Sequence, residues 1–227
     1  MGDFFSIFQV VIEKTILFYS VSIITAYLVL AVISAFALLR YIQKNSYVDY
    51  NIILSSPLVP SVSIIAPAFN ESKSIVENIR ALLSLYYHNY EVVVVNDGST
   101  DDTLEKIIKA YDLQLVDYAV GNRVETQPVR GVYKSRNRSF DKLTVVDKFN
   151  GGKADALNAG INVSVKDYFV AIDVDSIIQS DALLKLAKPF LEVSNKLTIA
   201  TGGVIRIANS CIIKDGQLVE VNLPKKM

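Results

Sequence analysis

Two aspartates, Asp173 and Asp175, are the clearest candidates for chemistry in this chain of 227 residues. They follow an apolar run and stand two positions apart, so an extended backbone directs both carboxylates to one face. Two adjacent negative charges are costly unless a cation lies between them. Mg²⁺ or Mn²⁺ suits such oxygen ligands, and Mg²⁺ commonly completes its shell with water and phosphate oxygens. The pair therefore predicts a metal site for a diphosphate ligand, with a solvated loop as the alternative.

Three more polar clusters stand beside apolar runs. They are Ala68-Phe69-Asn70-Glu71, Asn96-Asp97-Gly98-Ser99 and Asn150-Gly151-Gly152-Lys153-Ala154-Asp155. Asp97 either accepts a hydrogen bond from a base N–H or belongs to a simple turn. Lys153, behind two glycines at a predicted helix start, indicates an anion site, and an exposed lysine in a glycine-rich loop is the alternative.

Composition excludes several function classes. Lys and Arg number 23 and Asp and Glu also number 23, so the basic footprint of a nucleic-acid-binding protein is missing. With His88 and Cys211 as the single residues of their types, cysteine or histidine metal clusters and a disulfide framework are excluded. The sequence also matches neither the P-loop nor the G-x-G-x-x-G pattern.

A basic stretch precedes the fourth predicted strand. It contains Arg123, Arg130, Lys134, Arg136 and Arg138. A solvated loop is the favoured interpretation, and contact with phosphate or anionic lipid is the alternative.

Strands and helices alternate from Ser61 onward, which predicts an α/β domain with a mostly parallel sheet sandwiched by helices. The predicted strands are 61–67, 91–95, 113–120, 143–146, 168–172 and 197–200. The predicted helices are 74–84 with a Ser74/Glu77 capping box, 101–110 capped by Thr100, 153–163, and 180–190 capped by Ser180. Asp215-Gly216 predicts a hairpin. Ligands of open α/β sheets bind outside the carboxyl ends of the strands, where the four clusters fall.

The segment Ile16–Leu39 contains 24 residues without a charge, enough to cross a bilayer. We expect a transmembrane helix, against the alternatives of a buried core helix and a cleavable signal peptide. The predicted organisation is a membrane anchor at 1–45, a linker at 46–60 and an α/β domain at 61–227. Arg40 and Lys44 follow the helix and Lys14 precedes it, so the positive-inside rule places the soluble domain in the cytoplasm, on an inner or plasma membrane.

With these motifs together, the chain resembles the family-2 glycosyltransferases of GT-A fold over roughly Ser61–Ala208. The resembling segments are Val62–Glu71, Val92–Thr100, Gly151–Asn158 and Asp173–Asp175. The Gly-Gly-Lys-Ala-Asp-Ala-Leu-Asn run is similar to the membrane-bound branch that includes the cellulose, hyaluronan and poly-N-acetylglucosamine synthases.

The resemblance implies a role for each matched residue. The nucleoside pocket would be lined by Ala68, Phe69, Asn70 and Glu71. Asp97 would hydrogen-bond uracil, Gly98 would belong to the same donor site, and Lys153 and Asp155 would lie near the diphosphate or sugar. Asp173 would face the ribose or sugar, and Asp175 with Asp173 would hold Mg²⁺ or Mn²⁺. The implied reaction is inverting transfer of sugar from a UDP-sugar to a growing glycan.

The family's acceptor-side motifs are not matched. The chain contains neither Glu-Asp nor Trp, so the catalytic base and the Q-x-x-R-W motif are expected beyond Met227. We therefore expect the donor-binding half of a glycosyltransferase. The alternatives are a non-catalytic, membrane-tethered nucleotide-sugar-binding fragment and an enzyme that transfers sugar to a lipid phosphate.

Overall fold

The computed structural model describes residues 2–46, 59–191, 198–204, 211–214 and 217–221. The chain divides into two units, Met1–Asp49 and Tyr50–Met227. The predicted linker lies mostly outside the described residues.

The first unit is built around one helix, α1, which spans Gly2–Ser46. Its segment Ser6–Arg40 is 35 residues long, longer than the predicted 16–39, and contains an 18-residue window with a mean hydropathy of 2.4. At ~1.5 Å per residue, this segment exceeds the ~30 Å of a bilayer core. By length and composition, α1 is therefore a candidate membrane span.

The second unit is organised by a six-stranded sheet in the order β3-β4-β5-β2-β1-β6. The strands are β1 Val62–Ala68, β2 Tyr90–Asp97, β3 Leu113–Val116, β4 Val129–Ser135, β5 Leu143–Lys148 and β6 Tyr168–Ala171. The helices are α2 Ile75–Leu83, α3 Thr103–Tyr111, α4 Lys153–Val163 and α5 Ala182–Leu191. A separate antiparallel pair joins β7 Cys211–Lys214 to β8 Gln217–Val221, as the hairpin signal predicts.

Four neighbouring strands, β5, β2, β1 and β6, run parallel. At one edge, β4 pairs antiparallel with β5, and β3 pairs antiparallel with β4. The predicted GT-A-type α/β sheet between helices is thereby confirmed. All eight residues of β2 are buried, as its run of valines predicts.

Two apolar clusters lie on opposite faces of the sheet. Ile64, Val92 and Val94 belong to the larger cluster, which includes side chains of α2, α3 and α5. Ile65, Val93 and Val95 pack with the alanines of α4 in the smaller one. Gly160 of α4 lies so close to Ile65 that a Cβ atom there would overlap its side chain. The glycine thus lets α4 pack closely on the sheet.

Two predicted caps are wrong. Ser74 precedes α2, but its side chain makes no capping hydrogen bond within the described part of the chain. Both carboxylate oxygens of Glu77 instead accept hydrogen bonds from Arg80, at 3.0 and 2.9 Å. Thr100 does not cap α3, since the capping position is Asp102. The N–H of Thr100 instead donates to Asn70 Oδ1 at 2.8 Å, because the backbone of Thr100 lies against the loop after β1.

Three other boundaries differ from prediction. The helix predicted from Ser180 begins at Ala182, and the strand predicted at 113–120 ends at Val116. Of the strand predicted at 197–200, Leu197 lies outside the described residues, and residues 198–200 are in no strand.

The largest correction concerns Arg130 and Lys134 of the basic stretch, for which the sequence favours a solvated loop. Residues 129–135 form β4, which pairs with both β3 and β5. Its charged residues and Gly131 give it a poor intrinsic strand preference, and pairing on both sides supplies the order that local propensity lacks. The register shifts between Val129 and Gly131, so Arg130 lies at a β-bulge.

Candidate functional site

The loops after β1 and β2 are joined through Asn70. Its side-chain oxygen accepts the N–H of Thr100 at 2.8 Å, and its own N–H donates to Ser99 Oγ at 3.0 Å. Asn70 has a φ of 56°, in the left-handed region that asparagine tolerates better than most residues. This backbone conformation and the two hydrogen bonds hold the predicted nucleoside loop against the Asp97–Ser99 turn.

Neighbours of Asn70 differ in access to solvent. Phe69 is 49% exposed, and Glu71 is half-buried, whereas Ala68 is 1% exposed within the core. The N–H of Glu71 donates to Thr103 Oγ1 at 3.0 Å, which ties this loop to the start of α3. Of the four predicted lining residues, Phe69, Asn70 and Glu71 therefore lie at the surface of the site, and Ala68 supports it from inside.

Asp97, the predicted uracil ligand, ends β2 with its carboxylate directed at the glycine loop before α4. Its oxygens accept hydrogen bonds from Lys148 Nζ at 2.6 Å, Gly151 N at 3.0 Å and Gly152 N at 2.8 Å. The side chain is 5% exposed. The two glycine N–H groups of the predicted anion site thus bind a carboxylate of the chain itself.

Gly98 makes the close contact of these two loops possible. Its φ is +69°, and a Cβ atom there would lie 2.7 Å from Asn150 N. Asn150 Nδ2 also donates to the carbonyl oxygen of Asp97 at 2.8 Å. A side chain at position 98 would push the Asn150 loop away from β2.

Lys148, the last residue of β5, has a completely buried side chain. Its ammonium contacts Asp97 Oδ1 and Phe149 O, both at 2.6 Å. Asp155 Oδ2 lies 2.5 Å from the same nitrogen, an ion pair outside hydrogen-bonding angles. Burial raises the pKa of Asp155, but Lys148 and the N–H of Gln127 outweigh it, so that pKa lies below its ordinary value.

A second polar cluster lies on the opposite face of the sheet. Asp147 Oδ1 accepts hydrogen bonds from Arg130 at 2.6 Å and from Asn96 Nδ2 at 2.7 Å. The guanidinium of Arg130 lies 5.3 Å from the ring centroid of Phe149, within range of a cation–π contact. The bulge in β4 thus brings Arg130 to the carboxyl ends of β2 and β5.

Asp173 and Asp175 lie in a turn beyond β6, not in an extended strand. The N–H of Ser176 donates to the carbonyl oxygen of Asp173 at 2.9 Å and closes the turn. Val174 between them is 3% exposed, whereas both aspartates are exposed. Both carboxylates are therefore accessible, but the extended backbone on which their predicted common orientation depends is not present.

Lys153, at the first position of α4, forms an ion pair with Asp173. The two side chains are 63% and 51% exposed, respectively, so both can exchange partners with a ligand from solvent. The chain thus brings Lys153 and the aspartate turn together, as the sequence predicts. Asp155, by contrast, faces Lys148 and the backbone of Gln127.

The donor set suits a metal held jointly with a ligand. Among the described residues, no group of three or more His, Cys, Asp and Glu side chains could hold an ion. Asp173 and Asp175 supply two exposed carboxylates, which fit Mg²⁺ or Mn²⁺ if phosphate oxygens and water complete the shell. The pair fits a diphosphate-bound cation better than a permanent all-protein site.

Sequence reasoning missed Lys148 and Asp147, and it favoured a solvated loop for Arg130. The strand predicted at 143–146 stopped short of Asp147 and Lys148, which continue it and are 6% and 0% exposed. The available signal was two opposite charges directly after a buried apolar run. Arg130 had no comparable signal, because its position depends on a bulge.

Comparison with known proteins gives a consistent family result. The model of "Glycosyl transferase family 2" matches residues 63–145 and 134–209. A poly-β-1,6-N-acetyl-D-glucosamine synthase of Staphylococcus epidermidis is 31% identical over 163 residues, which cover 71% of this chain and 33% of that protein. The chain thus spans about a third of the length of the curated relatives it matches.

Two solved structures show lower similarity. Staphylococcus aureus TarS 1-349 has 24% identity and a TM-score of 0.41, and the match covers 58% of this chain and 32% of that one. The mannosyltransferase PcManGT of Pyrobaculum calidifontis, in complex with GDP-Man and Mn²⁺, has 22% identity and a TM-score of 0.46, with 63% and 38% covered.

Proposed function

Because the chain belongs to glycosyl transferase family 2, we propose that it carries the donor-binding part of an enzyme that transfers sugar from a UDP-sugar to a growing glycan. The observation that carries the proposal is the exposed Lys153–Asp173 pair beside Asp175. A cation and two carboxylates at the carboxyl edge of a parallel sheet suit a metal-bound diphosphate.

The residues of the site have distinct roles in the proposal. Phe69, Asn70 and Glu71 contact the nucleoside, and Asp97 with Gly98 borders the base. Lys153 gives up its ion pair with Asp173 and pairs with the diphosphate instead. The Asp173 carboxylate then becomes free to contact the ribose or sugar. Asp175, with Asp173, would hold Mg²⁺ or Mn²⁺, whose charge would stabilise the departing UDP.

The proposed reaction is a displacement with inversion. The acceptor hydroxyl oxygen forms a bond to the anomeric carbon, the bond from that carbon to the diphosphate oxygen breaks, and UDP keeps the electron pair. A base takes the hydroxyl proton. The name of the staphylococcal relative makes UDP-N-acetylglucosamine the first donor to test.

We further propose that residues 1–45 anchor the chain in a membrane and that residues 46–60 link this anchor to the donor-binding domain. That domain, residues 61–227, would lie in the cytoplasm. The apolar length of α1 supports the anchor. Arg40 and Lys44 after the apolar segment, against Lys14 before it, support the orientation.

The test is calorimetric titration of UDP into the detergent-solubilised full chain with Mn²⁺, with EDTA and with Asp175→Asn. We expect binding that requires Mn²⁺ and weakens at least tenfold in the variant, while circular dichroism stays unchanged. A folded chain that binds no UDP under any of these conditions would overturn the proposal.

A further inference from the structure

Lys148 is placed to organise the proposed donor site without contacting the donor. Its side chain is fully buried, and three oxygen atoms lie within 2.6 Å of its ammonium. Asp97 Oδ1 and Phe149 O accept hydrogen bonds from the ammonium, and Asp155 Oδ2 adds an ion pair, so its close neighbours are groups of the protein itself. Any effect of Lys148 on a ligand must therefore pass through its partners.

Those partners belong to three separate segments. Asp97 ends β2, Phe149 begins the glycine loop, and Asp155 lies in the first turn of α4. Asp97 in turn accepts the N–H groups of Gly151 and Gly152. One ammonium thus connects the strand, the loop and the helix that presents Lys153.

The loop has little room to adopt another position. A Cβ atom on Gly151 would overlap the Asp155 carboxylate, and one on Gly98 would lie 2.7 Å from Asn150 N. Without the Lys148 charge, Asp97 and Asp155, whose side chains are 5% and 19% exposed, would be two carboxylates without their shared counter-ion. Their repulsion would separate β2 from α4 and displace Lys153 with the helix.

Charge burial itself suggests a role beyond stability. A buried ion cluster is often no more stabilising than an apolar replacement of similar volume, so conformational specificity is one reason to retain it. We propose that Lys148 is a positioning residue, which holds the Gly151–Gly152 loop and the start of α4 where Lys153 meets the diphosphate. This inference rests on the proposed function.

The experiment measures Mn²⁺-dependent UDP affinity of the full chain in detergent for the wild type, Lys148→Met and Lys148→Met/Asp155→Asn. The double variant removes one charge of each sign, so it keeps the charge balance but loses the bridge. Lys142→Met is the matched control. Lys142 precedes the opposite end of β5 and lies 4.1 Å from the ring centroid of Tyr90.

We expect at least a tenfold loss of affinity in both Lys148 variants and less than a twofold change in Lys142→Met. If Lys148→Met does not fold, the double variant decides. A folded Lys148 variant with wild-type affinity would overturn the positioning role and leave the donor site intact. A wild type that binds no UDP would instead defeat the proposed function on which the inference rests.

Discussion

Two groups of charges lie at the carboxyl edge of the same sheet and differ in nearly every physical respect. The buried cluster, Asp97, Lys148 and Asp155, has an ammonium with no exposed surface and contacts from three oxygen atoms. The exposed pair, Lys153 and Asp173, is open to solvent. A buried charge must be satisfied by the protein itself, so the first group shapes the site, whereas the second retains capacity for a ligand.

Removal of Lys148 should have the largest effect on stability. Lys148→Met leaves two carboxylates without their counter-ion, which should lower the free energy of unfolding by about 3–5 kcal/mol. Lys153→Met should cost less than about 1 kcal/mol, because solvent screens its ion pair. Thermal unfolding of the full chain in detergent, followed by circular dichroism, measures both. Equal losses in the two variants would remove the distinction between the groups.

The next largest effects are expected at the two loop glycines, Gly151 and Gly152, whose replacements should lower stability for different reasons. Gly151→Ala places a methyl group against the Asp155 carboxylate and should cost about 1–3 kcal/mol. Gly152 has a φ of +85° and open space around a Cβ atom, so Gly152→Ala should cost only about 1–2 kcal/mol of backbone strain. The same unfolding measurement applies. A larger loss at Gly152 would mean that the loop does not pack on Asp155 as described.

Acid should act through the buried cluster. The folded pKa of Asp155 lies below 3.8, so the unfolded chain takes up its proton first as the pH falls. Its contribution is complete well above pH ~4 and is lost as the pH falls through the folded pKa. Unfolding temperatures from about pH 7 to 3 should therefore decline less steeply in Asp155→Asn. An unchanged slope would show that Lys148 does not stabilise the ionised carboxylate.

The smallest effect is expected at an exposed pair that belongs to neither group. Glu77 and Arg80 are 50% and 58% exposed on α2, and Arg80→Ala should change stability by less than about 0.5 kcal/mol. This variant calibrates what an exposed pair contributes in this fold. A loss above about 1 kcal/mol would show that exposure alone does not separate the two groups of charges.

The pattern of strands and helices was predictable because burial produces it. The valines of β2 and the spacing of α4 identify elements that any packing on the sheet would require. The antiparallel β4 was not predictable, because Arg130, Gly131 and Lys134 have weak strand preference and only their neighbours order them.

The candidate site also has residues whose positions could be predicted from the sequence and residues whose positions could not. Four site residues follow or precede elements whose positions the pattern predicts, so their meeting at one edge of the sheet could be foreseen. They are Asn70, Lys153, Asp173 and Asp175. The orientation of Asp97 could not, because it depends on Lys148 and on two glycine N–H groups supplied from more than fifty positions away. Such contacts are long-range and leave no local periodicity.

The most direct test of the account follows Mn²⁺ itself by electron paramagnetic resonance in the detergent-solubilised full chain with UDP. Asp181→Asn is the matched control, because the side chain of Asp181 is 38% exposed and also pairs with a lysine, Lys185, at 2.8 Å. We expect bound Mn²⁺ in the wild type and in Asp181→Asn, and its loss in Asp175→Asn. Equal Mn²⁺ binding in all three proteins would contradict the assignment of the exposed aspartate turn to the ligand.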